Sequence, residues 1–149
     1  MNFTEKIWYS AVGVAIALTL LMGCLDAAPS PASSSQQTAG SREDALPPDI
    51  TVSDAAKRRD RGAFILDVRE VPEWVEFHIP GATLIPLGEL PKRVGKVPRD
   101  REVVVVCRTG NRSQKGRDIL IEAGFRKVTN MQGGVKQWRA EGHPTVSGH

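Results

Sequence analysis

Val103-Val104-Val105-Val106-Cys107-Arg108-Thr109-Gly110-Asn111-Arg112-Ser113 is the stretch that decides how this chain folds. Four consecutive valines read as a buried parallel strand, because β-branched side chains suit a pleated surface covered on both faces. The residues after Ser113 read as a helix. A cysteine at the carboxyl end of such a strand, followed by a short polar loop, stands where open α/β sheets place their ligands. The loop N–H groups and the helix N-terminus favour negative charge at that point. The same setting lowers a thiol pKa, which makes Cys107 a candidate nucleophile. The plainer reading is an inert core cysteine, and the two arginines and the glycine of the loop weigh against it.

Working outward, the foldable part runs from Asp49 to Val146, with one small core. Asp49 to Val52 reads as a short strand. A helix follows it, opening at Ser53-Asp54-Ala55-Ala56 with Ser53 as N-cap. Ala63 to Val68 is a second strand. Pro72 to Phe77 suits a short helix with proline in its first turn. Ala82 to Ile85 reads as a strand, Leu87 to Val94 as a short helix, and Glu102 to Val106 as the central strand. The helix from Ser113 to Ala123 carries Ile119, Leu120 and Ala123 on one face and ends at Gly124. Lys127 to Asn130 is a last strand and Val135 to Ala140 a last helix. Strands alternating with helices predict an α/β fold: a small parallel sheet flanked by helices on both faces.

The chain has 149 residues and a net charge of +3, too mild to argue for nucleic acid, and no nucleic-acid motif is present. Before the domain, Ile7 to Met22 is apolar except for Ser10, Gly13 and Thr19. It is slightly short for a membrane span and suits the core of a signal peptide. It ends in Leu21-Met22-Gly23-Cys24, which resembles the bacterial lipobox. That resemblance implies a signal peptide at 1–23 and lipidation of Cys24; the alternative is an uncleaved signal anchor. Both place the rest outside the cytoplasm, held at a membrane and facing the periplasm. Residues 24–48 then form a flexible linker rich in Ala, Ser, Gln and Pro, with a reach of about 25 Å by random-coil scaling. Residues 49–149 form the folded domain.

Three blocks in order give the domain a family resemblance. They are Leu66-Asp67-Val68-Arg69-Glu70 with Trp74 and His78-Ile79-Pro80-Gly81-Ala82; the loop from Cys107 to Ser113; and Gly133-Gly134 with Trp138. The domain resembles a single-domain rhodanese, a sulfurtransferase. The resemblance implies a rhodanese-like fold and a cysteine that takes a sulfane sulfur from thiosulfate or a similar donor. The sulfur is held as a persulfide and passed to a thiol or to cyanide. It implies no cofactor and no nucleic-acid partner. Phe77 departs from the family, since a glycine often precedes the histidine, and the turn there is expected to differ.

Each loop residue has an expected part in that chemistry. Cys107 is the nucleophile. Arg108 and Arg112 supply a positive field for an anionic donor, because guanidinium forks match oxyanions. The N–H groups of Thr109, Gly110 and Asn111 belong to a nest for the terminal sulfur. Gly110 bends the loop through positive φ. Ser113 caps the next helix, with a hydrogen bond to sulfur as a second option. Asp67 and Arg69 are expected as a structural ion pair, and His78 as a structural histidine. Lys115 and Arg117 belong on a solvated helix face, and Trp74 and Trp138 in the core. Cys24 and Cys107 are the two cysteines, so a dithiol oxidoreductase and a zinc site are both disfavoured.

Two other functions compete. Phosphatases on related scaffolds need the loop arginine one position further on, where this chain has Ser113, so a phosphate-sized anion is poorly served. A carrier module that accepts a persulfide and turns over poorly alone is compatible with every residue named.

Overall fold

The computed structural model describes residues 45–148. The expected signal segment at 1–23, Cys24 with its expected lipidation, and the linker as far as residue 44 lie outside the described residues.

The central strand forms because four valines can be buried on both faces of a sheet. It is β4, Val103–Val106, and all four residues are buried. In chain order the other elements are β1 (Asp49–Ile50), α1 (Val52–Asp60), β2 (Phe64–Asp67), α2 (Val71–Glu76) and β3 (Thr83–Leu84). Next come α3 (Leu90–Arg93) with a 3-10 turn at Val94–Lys96, then β4, α4 (Asn111–Glu122), β5 (Val128–Met131) and α5 (Gly134–Ala140). The sheet order is β1-β5-β4-β2-β3, and every pairing is parallel. On one side β4 pairs with β2, Asp67 opposite Val106, and on the other with β5, Val105 opposite Asn130.

The period-2 alternation of β4 divides the core in two. Val104 and Val106 pack with Ile50, Val52, Ala55, Ala56, Val135 and Trp138, under α1 and α5. Val103 and Val105 pack with Leu66, Leu90 and Leu120, under α3 and α4. The expected α/β architecture, helices on both faces of a small parallel sheet, is therefore the observed one.

Element boundaries differ from the sequence reading for local reasons. β1 stops at Ile50, because Thr51 caps α1: its hydroxyl accepts from the Asp54 N–H at 3.1 Å. The expected cap, Ser53, lies inside the helix. The end of the expected linker is already docked on β5. Pro47 accepts from the Thr129 hydroxyl at 2.7 Å, and Pro48 from the Asn130 N–H at 2.9 Å. α4 begins at Asn111, with Gly110 as its cap in the left-handed region, so Ser113 sits in the first turn and is not the N-cap.

Trp138 is fully buried, and its indole N–H donates to Pro144 at 2.9 Å. Trp74 is only half-buried; its ring stacks on His78 with centroids 3.6 Å apart. Phe77 is extended (φ −167°, ψ 150°), a conformation any residue adopts, so no glycine is required before His78.

Candidate functional site

The carboxyl end of β4 delivers Cys107 into a loop that curls back over its own sulfur. Gly110 takes φ +108°, and this bend aims its N–H at Cys107 Sγ, 3.1 Å away. The Ser113 hydroxyl lies 3.3 Å from the same sulfur and 2.9 Å from the Gly110 carbonyl. A hydroxyl has one proton, so it can serve the carbonyl beside a neutral thiol and turn to the sulfur once that is charged. Of the two roles expected for Ser113, this geometry realises the hydrogen bond to sulfur.

The sulfur's electrostatics follow from these contacts. Burial pushes the thiol up. Hydrogen bonds from the Ser113 hydroxyl and from the N–H groups of Ser113, Thr109 and Gly110 outweigh it, leaving Cys107 below the ordinary thiol range. α4, which starts at Asn111, adds the partial positive charge of a helix N-terminus. Cys107 is nevertheless only 1% exposed. A polar cavity of about 330 Å³ lies beside the loop, lined in part by Thr109, Gly110, Asn111 and Asn130, and Cys107 is not among its lining residues.

The loop is clamped from the α5 side. Val135 donates its N–H to the Cys107 carbonyl at 2.8 Å, and Lys136 to the Arg108 carbonyl at 3.1 Å. This approach needs Gly134: a Cβ there would lie 2.3 Å from the Cys107 carbonyl oxygen, and φ is +58°. Gly134 is thereby explained as close backbone contact, and Gly133 by its left-handed φ of +76° as the cap of α5.

Arg112 does not face an open anion site. Arg112 gives both terminal nitrogens to Glu73 of α2, each at 2.7 Å from a carboxylate oxygen. The Glu73 hydrogen bond raises the Arg112 pKa, and Arg112 in turn holds Glu73 below the usual carboxylate range. The Cys107 charge also acts on Arg112, so the pair stands within electrostatic reach of the sulfur. Arg112, expected to supply a positive field for an anionic donor, is paired with Glu73. Arg108, Thr109 and Asn111 are exposed, with Thr109 turning its N–H to the sulfur.

Glu73 is the site-bordering residue that the sequence reading missed. Its partner lies 39 positions away, and no periodicity links an acid on a short helix to a loop arginine. A second pair holds it in place. Asp67 and Arg69 are sealed in the interior, with Arg69 Nε and Nη2 donating to the Asp67 carboxylate at 2.7–3.0 Å. Arg69 Nη1 also donates to the Glu73 carbonyl at 3.1 Å and Nη2 to the Phe77 carbonyl at 2.8 Å, which ties down the middle and the C-terminal end of α2. This is the structural pair expected at 67 and 69. His78 also has a structural setting, with Nδ1 3.0 Å from the Trp74 carbonyl. Lys115 is exposed, and Arg117 pairs with Asp118. Among the described residues, no three or more His, Cys, Asp or Glu side chains are grouped to hold a metal ion.

Comparison with known proteins gives a family match. The model of the rhodanese-like domain matches residues 51–141. YrkF of Bacillus subtilis (strain 168), named as a sulfur carrier protein, is 39% identical over 79 residues, covering 53% of this chain and 43% of YrkF. The chain therefore spans less than half of that relative's length. The thiosulfate sulfurtransferase GlpE of Pseudomonas savastanoi pv. phaseolicola is 33% identical over 91 residues, covering 61% of this chain and 86% of GlpE. A crystal structure of a rhodanese-related protein from Thermoplasma volcanium superposes with a TM-score of 0.62 at 31% identity, covering 66% of this chain and 96% of that one.

Proposed function

The chain belongs to the rhodanese family, and on that premise we propose that it moves sulfane sulfur through a persulfide on Cys107. The observation that carries the reading is the sulfur itself: a thiol at the end of β4, below its ordinary pKa, facing the Gly110 N–H and the Ser113 hydroxyl.

With thiosulfate as donor, the Cys107 thiolate attacks the sulfane sulfur. A bond forms between the two sulfurs while the bond from sulfane sulfur to the sulfonate sulfur breaks, and its electron pair leaves with sulfite. The product is a Cys107 persulfide anion. An acceptor such as cyanide or a thiolate then attacks the outer sulfur and restores the Cys107 thiolate. No outside oxidant or reductant enters either half. The chain's own groups stabilise charge: loop N–H groups hold the inner sulfur, and the N-terminus of α4 favours the anion in both states.

A thiosulfate:cyanide assay on the full chain tests the proposal. Thiocyanate formation is expected, and Cys107→Ser should abolish it; a serine variant with native activity removes Cys107 from the reaction. A carrier that loads sulfur and waits for a partner is the second reading. The closed position of the thiol favours it, since Cys107 is 1% exposed. Sulfur bound at Cys107 without appreciable turnover would select the carrier.

We also propose that the domain works outside the cytoplasm, tethered by a lipidated Cys24. The support is the apolar run at 7–22 and Leu21-Met22-Gly23-Cys24. Incorporation of labelled lipid precursor, lost in Cys24→Ser, is the expected result.

A further inference from the structure

A rhodanese loop that takes a dianion gains from an unpaired cation, and here the loop arginine is already engaged. Glu73 accepts both terminal Arg112 nitrogens at 2.7 Å, and the two side chains remain 26% and 34% exposed, within reach of an incoming donor. The pair is built to stay in this arrangement. Arg69 is sealed against Asp67 and donates to the Glu73 carbonyl, so the α2 backbone beneath the carboxylate is fixed. The Glu70 N–H also contacts Glu73 Oε2 at 3.3 Å. Glu70 adds a second acidic group that Arg112 senses. The opposing positive charge at the rim, Arg108, is exposed and screened by solvent.

We propose that Glu73 is a specificity-determining residue: by occupying both donors of Arg112, it turns the Cys107 site towards sulfane-sulfur donors that bear one negative charge, and away from the thiosulfate dianion. The inference rests on the sulfur-transfer reading and gives it a donor class. A second charge on the donor meets the Glu73 carboxylate with Arg112 already paired and Arg108 screened by solvent. A donor with one charge brings no second charge to that carboxylate. Methanethiosulfonate is the matched probe, since a methyl group replaces one anionic oxygen of thiosulfate. The Cys107 thiolate bonds to its sulfane sulfur, the bond to the sulfonyl sulfur breaks, and the electron pair departs with methanesulfinate.

The test measures kcat/KM for both donors on the full chain and on Glu73→Gln, with cyanide as acceptor. Removing the Glu73 charge should improve thiosulfate about fivefold to tenfold, mostly through KM, and leave methanethiosulfonate within about twofold. A donor ratio that does not move, or a loss shared equally by both donors, overturns the proposal, because a residue that only supports α2 would act on both alike. Sulfate binding followed on the Arg112 Nε–H resonance needs no sulfur transfer and no variant. The native chain should show no saturation at low millimolar sulfate. Saturation there would mean that Arg112 is open to anions, and would overturn the proposal even if Cys107 carries sulfur. Failure of both donors to load Cys107, with Arg112 still refusing sulfate, would instead count against the sulfur-transfer reading alone.

Discussion

The Asp67–Arg69 and Glu73–Arg112 pairs both join a carboxylate to a guanidinium through short hydrogen bonds, yet they lie in opposite surroundings. The first is sealed between β2 and α2, and Arg69 also donates to the carbonyls of Glu73 and Phe77. The second lies at the rim of the Cys107 loop, roughly a third open to water. A buried pair depends on having both partners, because a lone buried charge is costly. A pair about one-third exposed contributes little to stability, because solvent screens it, and its effect falls on the charge balance of the rim. The contrast assigns the inner pair to the scaffold and the outer one to the site, although they share Glu73 as a common neighbour.

Removing Arg69 should give the largest effect. Arg69→Ala leaves the Asp67 carboxylate buried and unpaired, with an expected loss of about 3–5 kcal/mol in urea unfolding. A loss under about 1 kcal/mol would erase the difference between the pairs. Gly134→Ala tests the loop's other support, independently of either pair. Its Cβ would press on the Cys107 carbonyl, so about 2–3 kcal/mol should be lost together with the lowered pKa of the thiol. That pKa is read from the pH profile of Cys107 alkylation. The native midpoint should fall below about 8.5, and the variant's should move back towards it.

Arg112→Ala should change stability by about 1 kcal/mol or less while altering how the site handles anionic donors. Equal damage to stability from Arg112→Ala and Arg69→Ala would make the outer pair part of the scaffold as well. The smallest effect is in pH. Arg112 holds the Glu73 carboxyl below its ordinary range, so the folded state binds fewer protons at Glu73 than the unfolded chain does. Its contribution is full above the unfolded carboxylate value and disappears as pH falls through the folded one. The difference in urea midpoint between the native chain and Glu73→Gln should therefore be largest near neutrality and vanish well below about pH 4. A difference that grows on acidification would contradict the assigned direction.

Much of this was legible in the sequence where local rules govern. The valine run gave the central strand, the alternation of elements gave the parallel sheet, and the Cys107–Ser113 loop gave the cradle. Gly110 had to bend backwards for its N–H to reach the sulfur. What stayed hidden depends on tertiary choice. Thr51 competed with Ser53 for the same helix cap, and the hydroxyl that met the Asp54 N–H won. Trp74 stacked on His78 at the edge because α2 is short and places no residue in the core. The pairing of Glu73 with Arg112 joins residues that only the folded sheet brings together, so one of the two positive charges of the loop is answered in the structure.

The central claim is that the Cys107 thiolate accepts one sulfur atom and carries it as a persulfide while the loop N–H groups hold Sγ. Mass spectrometry of the full chain after exposure to a sulfane donor, with the Cys107 peptide resolved, tests it most directly. A gain of one sulfur atom on that peptide, reversed by cyanide and absent from Cys107→Ser, is the predicted result. An unmodified peptide after exposure to both thiosulfate and methanethiosulfonate, in protein shown to be folded, would contradict it.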